Sequence, residues 1–190
     1  MRELLCLLCL LLSPMTQAWG YSYHQRTFPL ADALPDPRMT PGAIDPRVTP
    51  YSLHETICRR GGYTASVRPP ERYTERLKWH QVLAYYGRRY RLGEFEEDHL
   101  ISLELGGSPT SPLNLWPEPH DVQGGWGSYA KDRLEGRLHR LVCDGVLGLR
   151  QAQHAIATNW IQAYKRYVGP VPNPRPLRWQ RHEERHRHYW

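Results

Sequence analysis

Asp98 and His99 stand side by side in the stretch EEDHLISLELGGSPTSPLNLWPE, a carboxylate next to an imidazole. An imidazole takes and returns a proton near neutral pH, and a carboxylate offers a hard oxygen donor to Mg²⁺ or a similar ion. Together they supply two parts of metal-assisted hydrolysis, a base for water and an anchor for a Lewis acid. A lone histidine on the apolar side of a strand is more often a packed residue. The case for His99 therefore depends on its setting, in which Gly106 and Gly107 break the chain and Asn114 opens the next apolar run.

Further along, Asp132, Glu135 and His139 are spaced i, i+3, i+7 and share one face of a helix, where they could present oxygen and nitrogen ligands. Asp132 is the first choice as an additional ligand because it lies nearest the helix start, with Glu135 next. A solvated face carrying pairs such as Glu135 with His139 fits the same spacing equally well. Lys131 could touch a phosphate. Arg88, Arg89 and Arg91 lead directly into the Asp98 segment and are the best-placed phosphate contacts. Upstream, Arg59, Arg60, Arg68, Arg72, Arg76 and Lys78 alternate with Tyr63, Tyr73 and Trp79, a mixture that grips phosphates and stacks bases. Trp79 fits a core position better, and His120 reads as a surface histidine. The formal charge of +6 suits a polyanionic partner, although basic exported proteins also gain solubility this way.

The order Asp-His, Gly-Gly, Asn-Leu and then a helix resembles the HNH nuclease pattern, and the flanks TICRRGGYTASVRP and YAKDRLEGRLHRLVC resemble small secreted bacterial proteins with HNH-like domains. The wider resemblance covers residues 50–167 and the motif itself residues 95–135. It implies Asp98 on a divalent metal, Mg²⁺ first with Mn²⁺ or Zn²⁺ as alternatives. It also implies His99 as the base for water, and Asn114 as the residue that ties the hairpin loop. The implied activity is endonucleolytic hydrolysis of DNA or RNA by a monomer; an HNH-like module that binds nucleic acid without cutting is the alternative. The helix departs from the pattern, because Ser128, Tyr129, Ala130, Lys131 and Asp132 stand where ordinary members offer metal-binding histidines.

The elements that must position these residues follow from periodicity. Phe95 to Leu105 alternates apolar and polar residues, which predicts a strand, and Asn114-Leu115-Trp116 is short enough to be its returning partner. Successive strand residues face opposite ways, so a bend or bulge at Asp98-His99 is expected if both are to address one phosphate. Helical spacing predicts helices over 74–86, 128–142 and 149–167. The fold class is α+β, a mostly helical domain around a ββα-metal hairpin-and-helix core, with one disulfide.

Residues 1–18 have the layout of a secretory signal peptide, with an apolar run too short to span a bilayer. The expected product is secreted or periplasmic and free of the membrane once the signal is removed. Residues 19–49 read as a proline-rich extended leader that could drape over the domain, 50–168 as the HNH-like domain and 169–190 as a basic, histidine-rich tail able to bind metal or nucleic acid by composition alone. Cys58 and Cys143 then remain, 85 residues apart, and an oxidising compartment pairs them. Two buried thiols are the alternative. A metal site there looks less favourable, because neither cysteine is seen to have a cysteine or histidine at zinc-site spacing.

Overall fold

The computed structural model describes residues 26–87 and 90–172. The signal-like segment, Arg88, Arg89 and the tail from residue 173 onward lie outside the described residues. The elements run α1 (Thr64–Val67), α2 (Glu71–Tyr86), β1 (Phe95–His99), β2 (Leu115–Pro119), α3 (Ser128–Cys143) and α4 (Leu149–Tyr167). Helices and a two-stranded antiparallel sheet make the fold α+β, and the chain order of its centre is strand, strand, helix. Among the described residues no helix is long and apolar enough to cross a membrane.

The helices α3 and α4 follow their apolar stripes. Ala130, Leu134, Leu138 and Val142 of α3 are buried, as are Ala152, Ile156, Trp160 and Ala163 of α4. Fully burying side chains of this size stabilises by about 1.5–3 kcal/mol each, which outweighs differences in helix propensity. The helix α2 starts at Glu71, ahead of the expected Thr74, because Pro69-Pro70 ends the preceding turn and Glu71 places an acid in the first turn. It stops at Gly87, whose left-handed φ of 64° lets its N–H close on the Leu83 carbonyl. Its apolar stripe is only half used: Val82 is buried, whereas Trp79 and Leu83 are 46% and 43% exposed. Trp79 is thus a surface residue, and Lys78 takes the inward position.

The hairpin is shorter than the alternation suggested. Its register is regular over five pairs, from Phe95 opposite Pro119 to His99 opposite Leu115, with no bulge at Asp98-His99. Beyond His99 the chain leaves the ladder and coils into a single turn at Leu103–Leu105. The Ser102 hydroxyl accepts from the Glu104 N–H there, so side chains replace the strand partners. The alternation does not carry over to burial, since Leu100 and Ser102 are buried along with Ile101, Leu103 and Leu105.

Three contacts dock the hairpin on α2. Tyr86 donates its hydroxyl to the Pro117 carbonyl (3.0 Å), Gln81 donates to Leu115 (3.0 Å), and the Lys78 ammonium reaches the Phe95 carbonyl (3.4 Å). Residues 28–48 are part of this packing. Phe28, Ala33 and Val48 are buried, and Trp160 Nε1 donates to the Ala33 carbonyl at 2.6 Å.

Glu97 lies between β1 and α2, with both carboxyl oxygens buried and lacking a hydrogen-bond partner. Burial raises its pKa to about 9, with the Lys78 charge offsetting only part of the effect. A carboxyl raised in the folded state contributes full stability below its ordinary value, and that stability is lost as pH climbs toward and through 9. Glu97→Gln is therefore expected to raise stability by about 1–3 kcal/mol at pH 8 and to change it little at pH 4. Urea denaturation at both pH values checks this, and an equal effect at the two would contradict it.

Candidate functional site

The site forms where β1 ends. Asn114, fully buried, ties the loop between the strands together. Its Oδ1 accepts from the N–H groups of Ile101 (2.9 Å) and Ala43 (3.3 Å), and its Nδ2 donates to the carbonyls of Ile101 (3.0 Å) and Ser108 (3.1 Å). Gly107 is forced by the same closure: a Cβ there would lie 1.7 Å from the Ile101 carbonyl oxygen. Gly106 adopts a left-handed φ of 73°.

Loop closure brings the Pro109 carbonyl to 2.9 Å from His99 Nε2. A carbonyl only accepts, so Nε2 carries the hydrogen and Nδ1 of the neutral ring keeps its lone pair. Burial pulls the His99 pKa below the ordinary histidine value, against the opposing pull of the Asp98 charge and the Pro109 bond. Arg68, an exposed residue just ahead of α2, is close enough for its charge to depress His99 further.

The regular strand sends Asp98 and His99 to opposite faces, and α3 joins them by another route. The Lys131 ammonium, fully buried, donates to Asp98 Oδ2 (2.6 Å), to the His99 backbone carbonyl (2.7 Å) and to Glu135 one helical turn along. Glu118 on β2 completes the cluster. It stands two residues beyond Trp116, the partner of Asp98, and so is a diagonal neighbour on the same face. Its acid proton can bear on the Asp98 carboxylate, although neither of its oxygens has a partner of good hydrogen-bond geometry.

The charges in this cluster balance. Burial by itself would strip the proton from Lys131, but Asp98, Glu135 and Glu118 outweigh it and hold the ammonium well above the ordinary lysine value. Burial would raise Asp98, yet the Lys131 charge, the nearby Glu118 acid proton and the hydrogen bond from Lys131 bring it down to about 2. For Glu118 and Glu135 burial wins: Glu118 rises well above the carboxylate range and Glu135 rises to about 8. At neutral pH one carboxylate and one ammonium face each other among acids that are mostly neutral.

Several residues singled out in the sequence stand elsewhere. Asp132, one position past Lys131, is turned about 100° around the helix and reaches the cluster as a neighbouring negative charge on Glu135. Lys131 itself is enclosed and presents no surface to a phosphate. Arg91 sits ahead of β1, at the opposite end of the strand from His99, where its N–H donates to the Glu94 carboxylate. His120 is not a surface residue. It is 9% exposed, with Nδ1 2.9 Å from the Ser128 hydroxyl and its ring stacked on Tyr129. One contributor was missed, Glu118, an acid inside an otherwise apolar returning strand; Arg68 was singled out in the basic stretch, and the tertiary fold brings its charge to bear on His99.

A second group lies at the far end of α3. Cys58 and Cys143 form the expected disulfide, with Cα atoms 5.5 Å apart. Contrary to the reading from spacing, a histidine does accompany it. His139 precedes Cys143 by one helical turn, and the ligand atoms of Cys58, His139 and Cys143 all lie within 4.8 Å of one another.

No family model, no curated protein and no solved structure matches this chain.

Proposed function

We propose that the protein is an exported HNH-like endonuclease that hydrolyses phosphodiester bonds of DNA or RNA, with His99 as general base. The reading rests on one observation: a neutral imidazole is tethered through Nε2 to the Pro109 carbonyl, with Nδ1 holding the lone pair. Water gives its proton to Nδ1, the neighbouring Asp98 charge favours the imidazolium that forms, and Arg68 neutralises the phosphate. Lys131 positions Asp98 and the end of β1 without touching substrate.

The metal expected from the family resemblance meets an obstacle. Asp98, Glu118 and Glu135 are the hard oxygen donors here, but Asp98 and Glu135 already accept from the Lys131 ammonium. A divalent ion does not fit the cluster unless that ammonium moves, and no step is routed through one.

The test measures cleavage of plasmid DNA and of RNA, with EDTA and with Mg²⁺, Mn²⁺ or Zn²⁺, for wild type, His99→Ala and Arg68→Ala. His99→Ala is expected to lose about 10²–10⁴-fold in kcat with nucleic-acid binding retained, and Arg68→Ala to raise KM. Cleavage in EDTA supports Lys131 as the resident cation, whereas cleavage only with metal shows that the ammonium yields. Binding without cleavage in any condition would instead support the non-cutting HNH-like module, which the enclosed Lys131 favours.

A further inference from the structure

We propose that the reduced protein binds a divalent cation of the zinc class through Cys58, His139 and Cys143, with Glu104 as the fourth donor. This site lies on the opposite stretch of α3 from Lys131 and is independent of the nuclease reading. Three features of its geometry point to a tetrahedral centre.

The first is the histidine. His139 Nε2 lies 2.9 Å from the Ile57 carbonyl, so that nitrogen carries the hydrogen and Nδ1 keeps its lone pair. A ring fixed through its far nitrogen to a backbone carbonyl is the arrangement that orients histidine ligands in metal sites. The contact also ties the ring to the residue next to Cys58.

The second is distance. Bonds of about 2.0–2.3 Å to a tetrahedral zinc place neighbouring ligand atoms roughly 3.3–3.8 Å apart. The Cys58, His139 and Cys143 ligand atoms fall within 4.8 Å of one another, and Glu104 Oε2, outside that group but 3.9 Å from His139 Nδ1, has to swing inward to complete the set. Once reduced, the two sulfurs are free to separate to such an edge.

The third is chemistry and access. Two thiolates, an imidazole and a carboxylate suit Zn²⁺ far better than Mg²⁺ or Ca²⁺. Cys58, His139 and Cys143 are half-buried and the Glu104 side chain is 41% exposed, so an ion can enter from solvent.

The switch balances. A dithiol reductant passes two electrons to the Cys58–Cys143 bond and is itself converted to a disulfide, leaving two protein thiols. Each thiol releases one proton as it binds the cation as thiolate. A small-molecule disulfide reverses the sequence: it takes two electrons from the thiolates and two protons from water to become a dithiol, the Cys58–Cys143 bond re-forms and the ion leaves.

Titration of the full-length protein with Co²⁺, before and after treatment with a phosphine reductant, tests the site. The reduced protein is expected to develop thiolate-to-cobalt charge-transfer and tetrahedral d–d absorption, and the oxidised protein none. Cys58→Ser with Cys143→Ser should remove this signal despite Cys6 and Cys9. His139→Ala, which keeps the disulfide, should weaken Co²⁺ binding roughly tenfold or more. Thermal melts of the reduced protein with Zn²⁺ provide a second readout. Zn²⁺ should raise the Tm of reduced wild type, or refold it if reduction alone unfolds it, and do neither for His139→Ala. Absence of any thiolate spectrum and any Zn²⁺ effect in reduced wild type, or an undiminished effect in His139→Ala, would overturn the proposal.

Discussion

Lys131→Met is expected to destabilise the protein by about 3–5 kcal/mol at pH 7, the cost of leaving one side of a buried ion pair uncompensated. The methionine approximates the volume of the lysine, so the loss reports charge and hydrogen bonding more than packing. Without the ammonium, Asp98 loses the main influence that holds it down to about 2, and burial drives it toward the protonated form. The His99 carbonyl and Glu135 lose a donor at the same time. Adding Asp98→Asn to Lys131→Met removes the stranded charge and should recover more than half of the loss, which chemical denaturation of the four members of the cycle measures. A single-variant loss below about 0.5 kcal/mol would mean that the cluster does not hold the end of β1. Because Lys131 also anchors the His99 carbonyl, the variant should shift the pH profile of any cleavage, a readout that loss of stability alone would not move.

How far this centre could be read from the sequence depends on the range of the interaction involved. Periodicity located α3 and α4 because one stripe of each helix decides its burial, whereas the loop-tying Asn114 was implied by the motif resemblance and holds because loop closure is local. The same periodicity overran β1 by several residues, since the alternation of apolar and polar residue types continues into a buried turn whose partners are the Asn114 and Ser102 side chains. Asp98 and His99 facing opposite ways suggested a bulge. The fold keeps the strand regular and bridges the two with Lys131, a residue whose enclosure depends on helix packing that pattern alone does not reveal. His139 carried a usable signal, one helical turn from Cys143, that counting Cys–Cys spacings overlooked. Glu118 carried another, an acid within a strand whose five residues are all buried. A proline-rich leader draped over the domain was legible for residues 28–48, but that Phe28, Ala33 and Val48 enter the core was not, because composition describes local stiffness and says nothing of which side chains are buried.

Replacing both Cys58 and Cys143 with Ala is expected to cost about 4 kcal/mol, the entropy of an 85-residue loop no longer closed in the unfolded chain. In a chain of this size that corresponds to a fall in Tm of roughly 8–16 °C. The loop spans α2, the hairpin and α3, so the bond restricts the very segments that assemble the Asp98–Lys131 cluster. Differential scanning calorimetry at fixed protein concentration measures the change, and a shift under about 3 °C would show that the unfolded chain is already compact across this loop. Comparison with reduced wild type then separates the bond from the ion. Both lack the cross-link, but only reduced wild type retains the two thiolates, so Zn²⁺ should restore part of the lost Tm in it and none in the double variant. A disulfide acting as a cross-link alone predicts the same low Tm for both, with or without the metal.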